Sequence, residues 1–328
     1  MHATRLVLVF TLCAAPWLGT TAQAQGTASA YPSRPIRFVV PLAPGGMVDT
    51  VARTVAQHLA ERLGQPVVTE NRPGANGVVA LEIVSKSAPD GYTLVLTTQA
   101  MLVFNMHLYK KLPYQSLRDF VSVTTLFAAP LYFVVTPSLA AQSVPEFITL
   151  ARSQPGKLSY ASIGVGSGQH LAMEFFKART GLNIVHIPYK SSTSAMADLL
   201  AGRVQIMFEG PTSTLPQIRS GKLRALASLG PQRTAAMPEL PTISEAGVPG
   251  FAILTWFGLS VPAGVPRPII DRLNREVGDL LRSPATREKF AASNIELIAS
   301  TPDEMDERVR TEIPLFRKLM RDAGIEPE

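Results

Sequence analysis

The sequence predicts an α/β protein of two lobes, each a mostly parallel sheet flanked by helices. Three observations lead there. Apolar strand-like runs alternate with helical periodicity through two successive stretches, the pattern of parallel strands joined by crossover helices. Each stretch contains one strand–glycine–helix junction: Pro44-Gly45-Gly46 after the apolar run 36–40, and Gly164-Val165-Gly166-Ser167-Gly168 after the run 158–162. The chain is also 328 residues long, more than one hydrophobic core usually serves. Lobe 1 is assigned to residues 31–126 and 227–328, and lobe 2 to residues 127–226.

The first residues stand apart from that fold. Arg5 makes a short basic region, residues 6–18 an apolar run, and Ala22-Gln23-Ala24 an A-x-A site. Together they read as a secretory signal peptide over residues 1–24, cleaved after Ala24 and too short in its apolar part to span a bilayer. Cys13, the one cysteine, falls inside it after Thr11-Leu12, which is a poor lipoprotein site. The mature chain, 328 − 24 = 304 residues, therefore has no thiol for a disulfide, a metal or a nucleophile. The formal charge of +6 becomes +5 without Arg5, and its basic residues are scattered without a run or an aromatic ladder. That excludes a nucleic-acid surface and leaves a mild field that favours small anions.

The elements follow in order. After the strand 36–40, Pro41 and Pro44 lack donors and end regular pairing, and Gly45 and Gly46 allow a sharp turn. Val48, Val51, Ala52, Val55, Leu59 and Leu63 recur at helical spacing, so a helix runs over 48–63 and stops at Gly64; His58 sits at its boundary. A strand at 66–69, the loop Asn71-Arg72-Pro73-Gly74-Ala75-Asn76-Gly77, a helix at 78–87 and a strand at 92–97 complete the first half. That strand ends in Thr97-Thr98-Gln99, polar side chains at the carboxyl end where α/β sheets take ligands.

Two extended pieces, 121–127 and 131–135, carry the chain to the second lobe. There Ser143 and Pro145 open a helix at 146–153, and the strand 158–162 enters the second glycine turn and a helix at 171–180. A strand at 184–189 precedes Ser191, which caps a helix to residue 201, and a strand at 204–208 ends in Glu209. The strand 223–229 is read as the way back to lobe 1. A strand at 251–261 and helices at 267–282, 285–292 and 302–320 then pack on that lobe.

Catalytic and cofactor readings fare poorly. A dinucleotide turn needs a third glycine at position 169, which is Gln169. Ser167 and His170 are three apart at a helix start and form the alternative reading, a secreted hydrolase. The flanking residues do not make G-x-S-x-G, and no orienting carboxylate is evident. His58, His107, His170 and His186 show no zinc spacing, so neither metal nor cofactor is expected. What remains is one amide-rich helix start per lobe with neutral hydroxyls around it. Helix starts of this kind bind carboxylates through dipoles and N–H donors. Asp49 would repel such a ligand if it faced the cleft, so it is expected to hold its turn by accepting backbone amides.

The motifs also resemble a known family as a set. Tyr31-Pro32-Ser33-Arg34-Pro35-Ile36, Ala43-Pro44-Gly45-Gly46-Met47-Val48-Asp49, the Asn71–Gly77 loop, Ser162 through Leu171, His186-Ile187-Pro188-Tyr189-Lys190, Pro241-Thr242-Ile243-Ser244-Glu245 and Trp256-Phe257-Gly258-Leu259 occur in one order across the mature chain. In this the chain resembles the substrate-binding proteins of tripartite tricarboxylate transporters, the Bug receptors. The resemblance implies a two-lobed, type II-like periplasmic-binding-protein fold that closes on a di- or tricarboxylate, an acidic amino acid or an aromatic acid. It implies a two-component membrane permease as partner and a receptor, not an enzyme; a monomer that binds no nucleic acid is the default expectation. A receptor that serves a sensor kinase without transport is the other role open to such a chain.

It also implies that backbone amides and bridging waters at Pro44, Gly45 and Gly46 hold one carboxylate, with Gly164, Gly166 and Ser167 facing them. The expected ligand-binding set is Ala43, Pro44, Gly45, Gly46, Asp49, Thr97, Thr98 and Gln99 in lobe 1. In lobe 2 it is Ser162, Gly164, Gly166, Ser167, His170, Ser191 and Glu209. Relatives often carry Asp-Asn where this chain has Glu209-Gly210, and Lys-Gly where it has Lys190-Ser191. The choice of ligand is therefore expected to lie near Ser191 and Glu209.

Overall fold

Two sheets organise the computed structural model, which describes residues 31–291 and 295–327. The expected signal peptide, its cleavage point after Ala24, and Cys13 lie outside the described residues. Both sheets belong to one compact unit, Pro32–Glu328.

The first sheet has six strands in the order β11-β4-β10-β3-β1-β2. Its strands are β1 (Ile36–Val40), β2 (Val67–Asn71), β3 (Thr93–Thr98), β4 (Phe120–Pro130), β10 (Leu254–Pro262) and β11 (Glu296–Leu297). The second has five, in the order β7-β6-β8-β5-β9. These are β5 (Tyr132–Val135), β6 (Ser159–Ser162), β7 (Val185–Pro188), β8 (Ile206–Glu209) and β9 (Arg224–Ser228).

The two-lobed α/β architecture is as expected, but the sheets are mixed. β1 pairs in parallel with β2 and β3, and β6 with β7 and β8. β10 runs antiparallel to β3 and β4, and β5 runs antiparallel to β8 and β9. The cause lies in how the chain crosses. β4 and β5 are separated by Leu131 alone, so one near-continuous extended run leaves the first sheet and enters the second. Such a strand arrives without a crossover helix, and only βα units enforce parallel pairing. The expected lobe limits at 126/127 and 226/227 fall within β4 and β9. β9 is an edge strand of the second sheet, so the return is not made there; residues 229–253 and β10 make it.

The helices carry the patterns that predicted them. α1 (Met47–Leu63) buries Val48, Val51, Ala52, Val55, Leu59 and Leu63, the larger of them worth about 1.5–3 kcal/mol each where the side chain is fully enclosed. Gly64 closes it at φ 72°, donating to the Ala60 carbonyl at 3.0 Å. His58 reaches from α1 to the Glu276 carbonyl at 3.0 Å. α2 (Val78–Ser85) follows the Asn71–Gly77 loop. A π-helical turn, Ala100–Phe104, runs into α3 (Asn105–Leu108), and α4 (Ser116–Asp119) precedes β4.

In the second lobe lie α5 (Val144–Ser153), α6 (Gly168–Thr180), α7 (Ser192–Leu200) and α8 (Pro211–Arg219). α9 (Arg267–Arg282), α10 (Pro284–Ala291) and α11 (Pro302–Asp322) return to the first sheet. α11 starts with a complete Thr301/Glu304 capping box. It also touches both lobes: the Phe316 ring lies 4.7 Å from Phe104 and 6.2 Å from Phe175 of α6.

Candidate functional site

Both glycine turns sit at the carboxyl ends of parallel strands, β1 in the first lobe and β6 in the second. Ala43, Pro44, Gly45 and Gly46 are exposed. Gly45 has φ +89°, a conformation side-chain-bearing residues rarely adopt, which is why glycine stands there. Gly46 is the N-cap of α1 and gives it no side-chain cap.

Asp49 organises this turn from below. Only 4 % exposed, it accepts through Oδ2 from the Gly45 amide at 3.0 Å and from Arg53 Nε at 2.9 Å. Its Oδ1 accepts from Asn71 Nδ2 at 2.9 Å, and the same nitrogen donates to the Leu42 carbonyl. Burial opposes ionisation of Asp49, but the bonds from Arg53, Gly45 and Asn71 outweigh it and hold the carboxyl below its ordinary value. The Gly45 N–H is therefore engaged. The amides of Gly46, Met47 and Val48, at the N-terminus of a 17-residue helix, have no partner among the described residues.

The second turn is built the same way with different parts. Ser162 Oγ accepts from the Gly164 amide at 3.1 Å and pairs with His186 Nε2 at 2.7 Å. The Gly166 amide donates to His170 Nδ1 at 3.2 Å, which makes that nitrogen an acceptor and puts the proton of a neutral ring on Nε2. Ser167 caps α6: its Oγ accepts from the His170 amide at 3.3 Å and donates to the Gly164 carbonyl at 2.8 Å. The amides of Val165, Gly168 and Gln169 have no partner among the described residues.

Beneath this turn the two imidazoles lie 4.4 Å apart, and Tyr160 stacks 4.7 Å from His186. Burial, with His170 beside it, pushes His186 down to about 4. The Ser167–His170 hydrolase reading fails on this geometry. The hydroxyl proton goes to a carbonyl, and the acceptor nitrogen of the ring takes a backbone amide, so the serine has no base.

The remaining expected residues divide. Ser191 is the N-cap of α7, accepting from the Ser194 amide at 3.2 Å. Glu209, 5 % exposed at the end of β8, accepts from Ser192 Oγ and from the Gly210 amide, both at 2.8 Å, with Ser213 and Gln169 as further donors. Burial raises its carboxyl above the ordinary value, and those donors offset only part of that push. Thr98 is half-buried and accepts from the Met101 amide at 3.2 Å.

Thr97 and Gln99 are not brought to the turns. Thr97 is fully buried against Ser260, 3.4 Å away, and Gln99 Nε2 donates to Glu312 of α11 at 2.8 Å beside Trp256. Alternation along β3 turns Thr97 away from the face that Thr98 takes, and Gln99, just past the strand with helical φ −51° and ψ −41°, reaches α11 instead.

Sequence reasoning missed Arg53, Asn71 and Asn76 as turn supports, although Asn71 and Asn76 stood inside a motif it had marked. Asn76 Nδ2 donates to the Gly166 carbonyl at 3.0 Å, a direct bond between the lobes. A cavity of about 250 Å³ also borders the second turn, lined by Leu108, Tyr109, Val165, Gly166, His170, Ile325 and Glu326. It shares no residue with the Ala43–Asp49 turn. Among the described residues no cluster of His, Cys, Asp or Glu is arranged to hold a metal, and no helix is long and apolar enough to cross a membrane.

Comparison with known proteins is consistent along the chain. Residues 51–325 match the model of the tripartite tricarboxylate transporter family receptor. The protein BugT of Bordetella pertussis is 39 % identical over 325 residues, 99 % of each chain. A protein from the tcbD-tcbE intergenic region of Pseudomonas sp. strain P51 is 37 % identical over 292 residues, 89 % of this chain and 87 % of that one. Among solved structures, R. palustris Rpa4515 with adipate superposes at a TM-score of 0.86 with 35 % identity, covering 91 % of this chain and 100 % of that one. MatC from Rhodopseudomonas palustris with bound malate gives 0.82 and 29 %, covering 88 % and 99 %. These are solute-binding receptors and not enzymes, and the chain belongs to the tripartite tricarboxylate transporter receptor family.

Proposed function

We propose that this protein is an extracytoplasmic receptor that closes its two lobes around a small carboxylate and delivers it to a two-component membrane permease. One observation carries the reading. Two glycine turns, one per lobe, present helix-start amides without partners among the described residues, those of Gly46, Met47 and Val48 and those of Val165, Gly168 and Gln169. Such a site holds a carboxylate by oriented N–H dipoles without a buried ion pair, and therefore releases it without breaking one.

In this reading Ala43, Pro44 and Gly45 shape the first grip, Asp49 braces it, and Thr98 and Ser191 border the ligand. Ser162, Gly164, Gly166, Ser167 and His170 build the second grip. The carboxylates named with two structural relatives, adipate and malate, support the ligand class. Export rests on the signal-like residues 1–24, and intact-mass analysis of the secreted protein should find a chain beginning at Gln25. The receptor acts as a single chain, and closure is a hinge motion at the crossing strands β4–β5 and at the return into β10.

Thermal-shift screening of organic acids tests the proposal. A ligand at a hundred times its Kd stabilises the fold by about 2.7 kcal/mol, a clear rise in melting temperature. Adipate and malate belong in the first panel. A panel in which no anion shifts the transition while a neutral sugar or a cation does would overturn the carboxylate reading.

A further inference from the structure

The loop before α2 is held in an unfavourable conformation for a purpose that the carboxylate grips leave unexplained. Ala75 and Asn76 both have positive φ, 44° and 49°, although neither is glycine. Consecutive left-handed residues cost conformational energy and persist where surrounding contacts over-determine them. Here the contacts converge on the Asn76 side chain. Its Nδ2 donates to the Gly166 carbonyl at 3.0 Å and to Asn105 Oδ1 at 2.8 Å. Asn105, fully buried, returns a bond from Nδ2 to the Asn76 carbonyl at 3.1 Å and a second to the Tyr114 hydroxyl at 3.0 Å. That hydroxyl donates to the Met101 carbonyl at 2.7 Å. Both N–H bonds of each amide are used, so the amide orientations are fixed by the network.

The far end of this chain of bonds is the second lobe's glycine turn. Gly166 has φ +77°, and a Cβ there would lie 2.6 Å from Leu108 Cδ1 and 3.2 Å from Asn76 Nδ2. The turn that presents the Val165, Gly168 and Gln169 amides is therefore pressed against the first lobe by Leu108 and bonded to it by Asn76.

We infer that Asn76 is a positioning residue for ligand capture: it holds the second lobe's glycine turn to the first lobe through the Gly166 carbonyl and so slows reopening of the closed cleft. This role rests on the receptor reading above. It predicts a specific kinetic signature, because a bond that forms on closure acts on escape of the ligand more than on its arrival.

The test uses two variants in the full mature protein. Asn76→Gly keeps the positive φ and deletes the side chain; Asn76→Asp is nearly isosteric but cannot donate to the Gly166 carbonyl. Adipate and malate serve as probes. The readout is stopped-flow fluorescence of Trp256, the one tryptophan that remains once residues 1–24 and their Trp17 are removed. Both variants are expected to raise koff about tenfold with kon within twofold, alongside a lower unliganded melting temperature, because each leaves the buried Asn105 Oδ1 without its donor. Rates within twofold of wild type for both variants would overturn the inference. Lower stability with unchanged koff would overturn it as well, leaving Asn76 a purely structural residue.

Should neither acid bind, the ligand class fails separately, and small-angle scattering of the unliganded proteins decides the lobe contact. A larger radius of gyration for Asn76→Gly upholds the contact; superimposable profiles overturn it.

Discussion

The Asp49 carboxylate accepts the Gly45 amide at 3.0 Å, so the most polar residue of the first turn faces its own backbone. This relationship reassigns the donors of the site. The Gly45 N–H belongs to the fold, and the amides left for an anion are the three that follow. It also removes the conflict of a carboxylate beside a carboxylate site, since Arg53 and Asn71 engage the remaining capacity of Asp49. Replacing Asp49 by Ala leaves the Gly45 amide and Arg53 Nε without this acceptor, a loss of about 1–3 kcal/mol. Binding is expected to weaken at least tenfold and the melting temperature to fall, and calorimetric titration with a thermal melt checks both. Because the Asp49 carboxyl is held below its ordinary value, its contribution is present at neutral pH and lost as acid protonates it.

Gly46 separates fold from binding. A Cβ at this position meets nothing within 4 Å, and its φ of −84° suits any residue. Gly46→Val is therefore expected to leave the melting temperature within about 2 °C while filling the space in front of the Met47 and Val48 amides. Loss of measurable carboxylate binding in a fully folded variant is the expected result. Unchanged affinity would move the ligand away from this turn.

Gln99 gives the converse experiment. It stands just past the end of β3, and its amide bonds Glu312 of α11. Gln99→Ala is expected to lower stability by about 1–2 kcal/mol and to leave the Kd for any bound acid unchanged. A weakened Kd with unaltered stability would return Gln99 to the site.

The contrast between these residues shows how much the sequence could say. Glycine turns, strand ends and caps are local features, and Gly45, Gly64, Ser143 and Ser191 all behave as their neighbours in the chain predict. The face a side chain takes at a strand end is not local. Thr97, Thr98 and Gln99 read alike in sequence, and only the position of α11 separates them. Asn76 was legible as part of a turn-rich loop, but its partner is 90 residues away in the other lobe, a distance no spacing rule spans. The antiparallel crossing strands were missed for a related reason: apolar runs buried on both faces carry no mark of direction.

The histidine pair makes stability sensitive to mild acid. Burial and the neighbouring His170 push His186 down to about 4, so the folded state disfavours the proton that the unfolded chain accepts near pH 6.5. The native state is thus destabilised as pH falls from about 6.5 to about 4, by roughly 1–2 kcal/mol once partial exposure is allowed for. Tyr160, Glu174 and Lys177 face the same cluster, and Lys177 adds to the push while Glu174 opposes it. His186→Gln is expected to flatten the melting temperature over that window, whatever it costs at pH 8 in lost ring stacking. A variant with the wild-type slope would assign the acid sensitivity to other groups.

Glu209 should behave as a buried acid with its own solvation shell. Glu209→Ala removes the acceptor for Ser192 and the Gly210 amide and is expected to cost about 1–3 kcal/mol. Glu209→Gln keeps an oxygen for the Gly210 amide, and the Ser192 hydroxyl can turn to accept from the new amide. Burial raises the Glu209 carboxyl, so the wild-type residue stabilises the fold most at low pH and loses that contribution as pH rises and the buried group ionises. The glutamine variant does not ionise and carries no such dependence. The difference in melting temperature, variant minus wild type, should therefore grow more positive from about pH 5 to about pH 8. A difference that stays flat across that range would mean that the surrounding donors fully offset the burial of charge, and that Glu209 is held there as an ordinary ionised carboxylate.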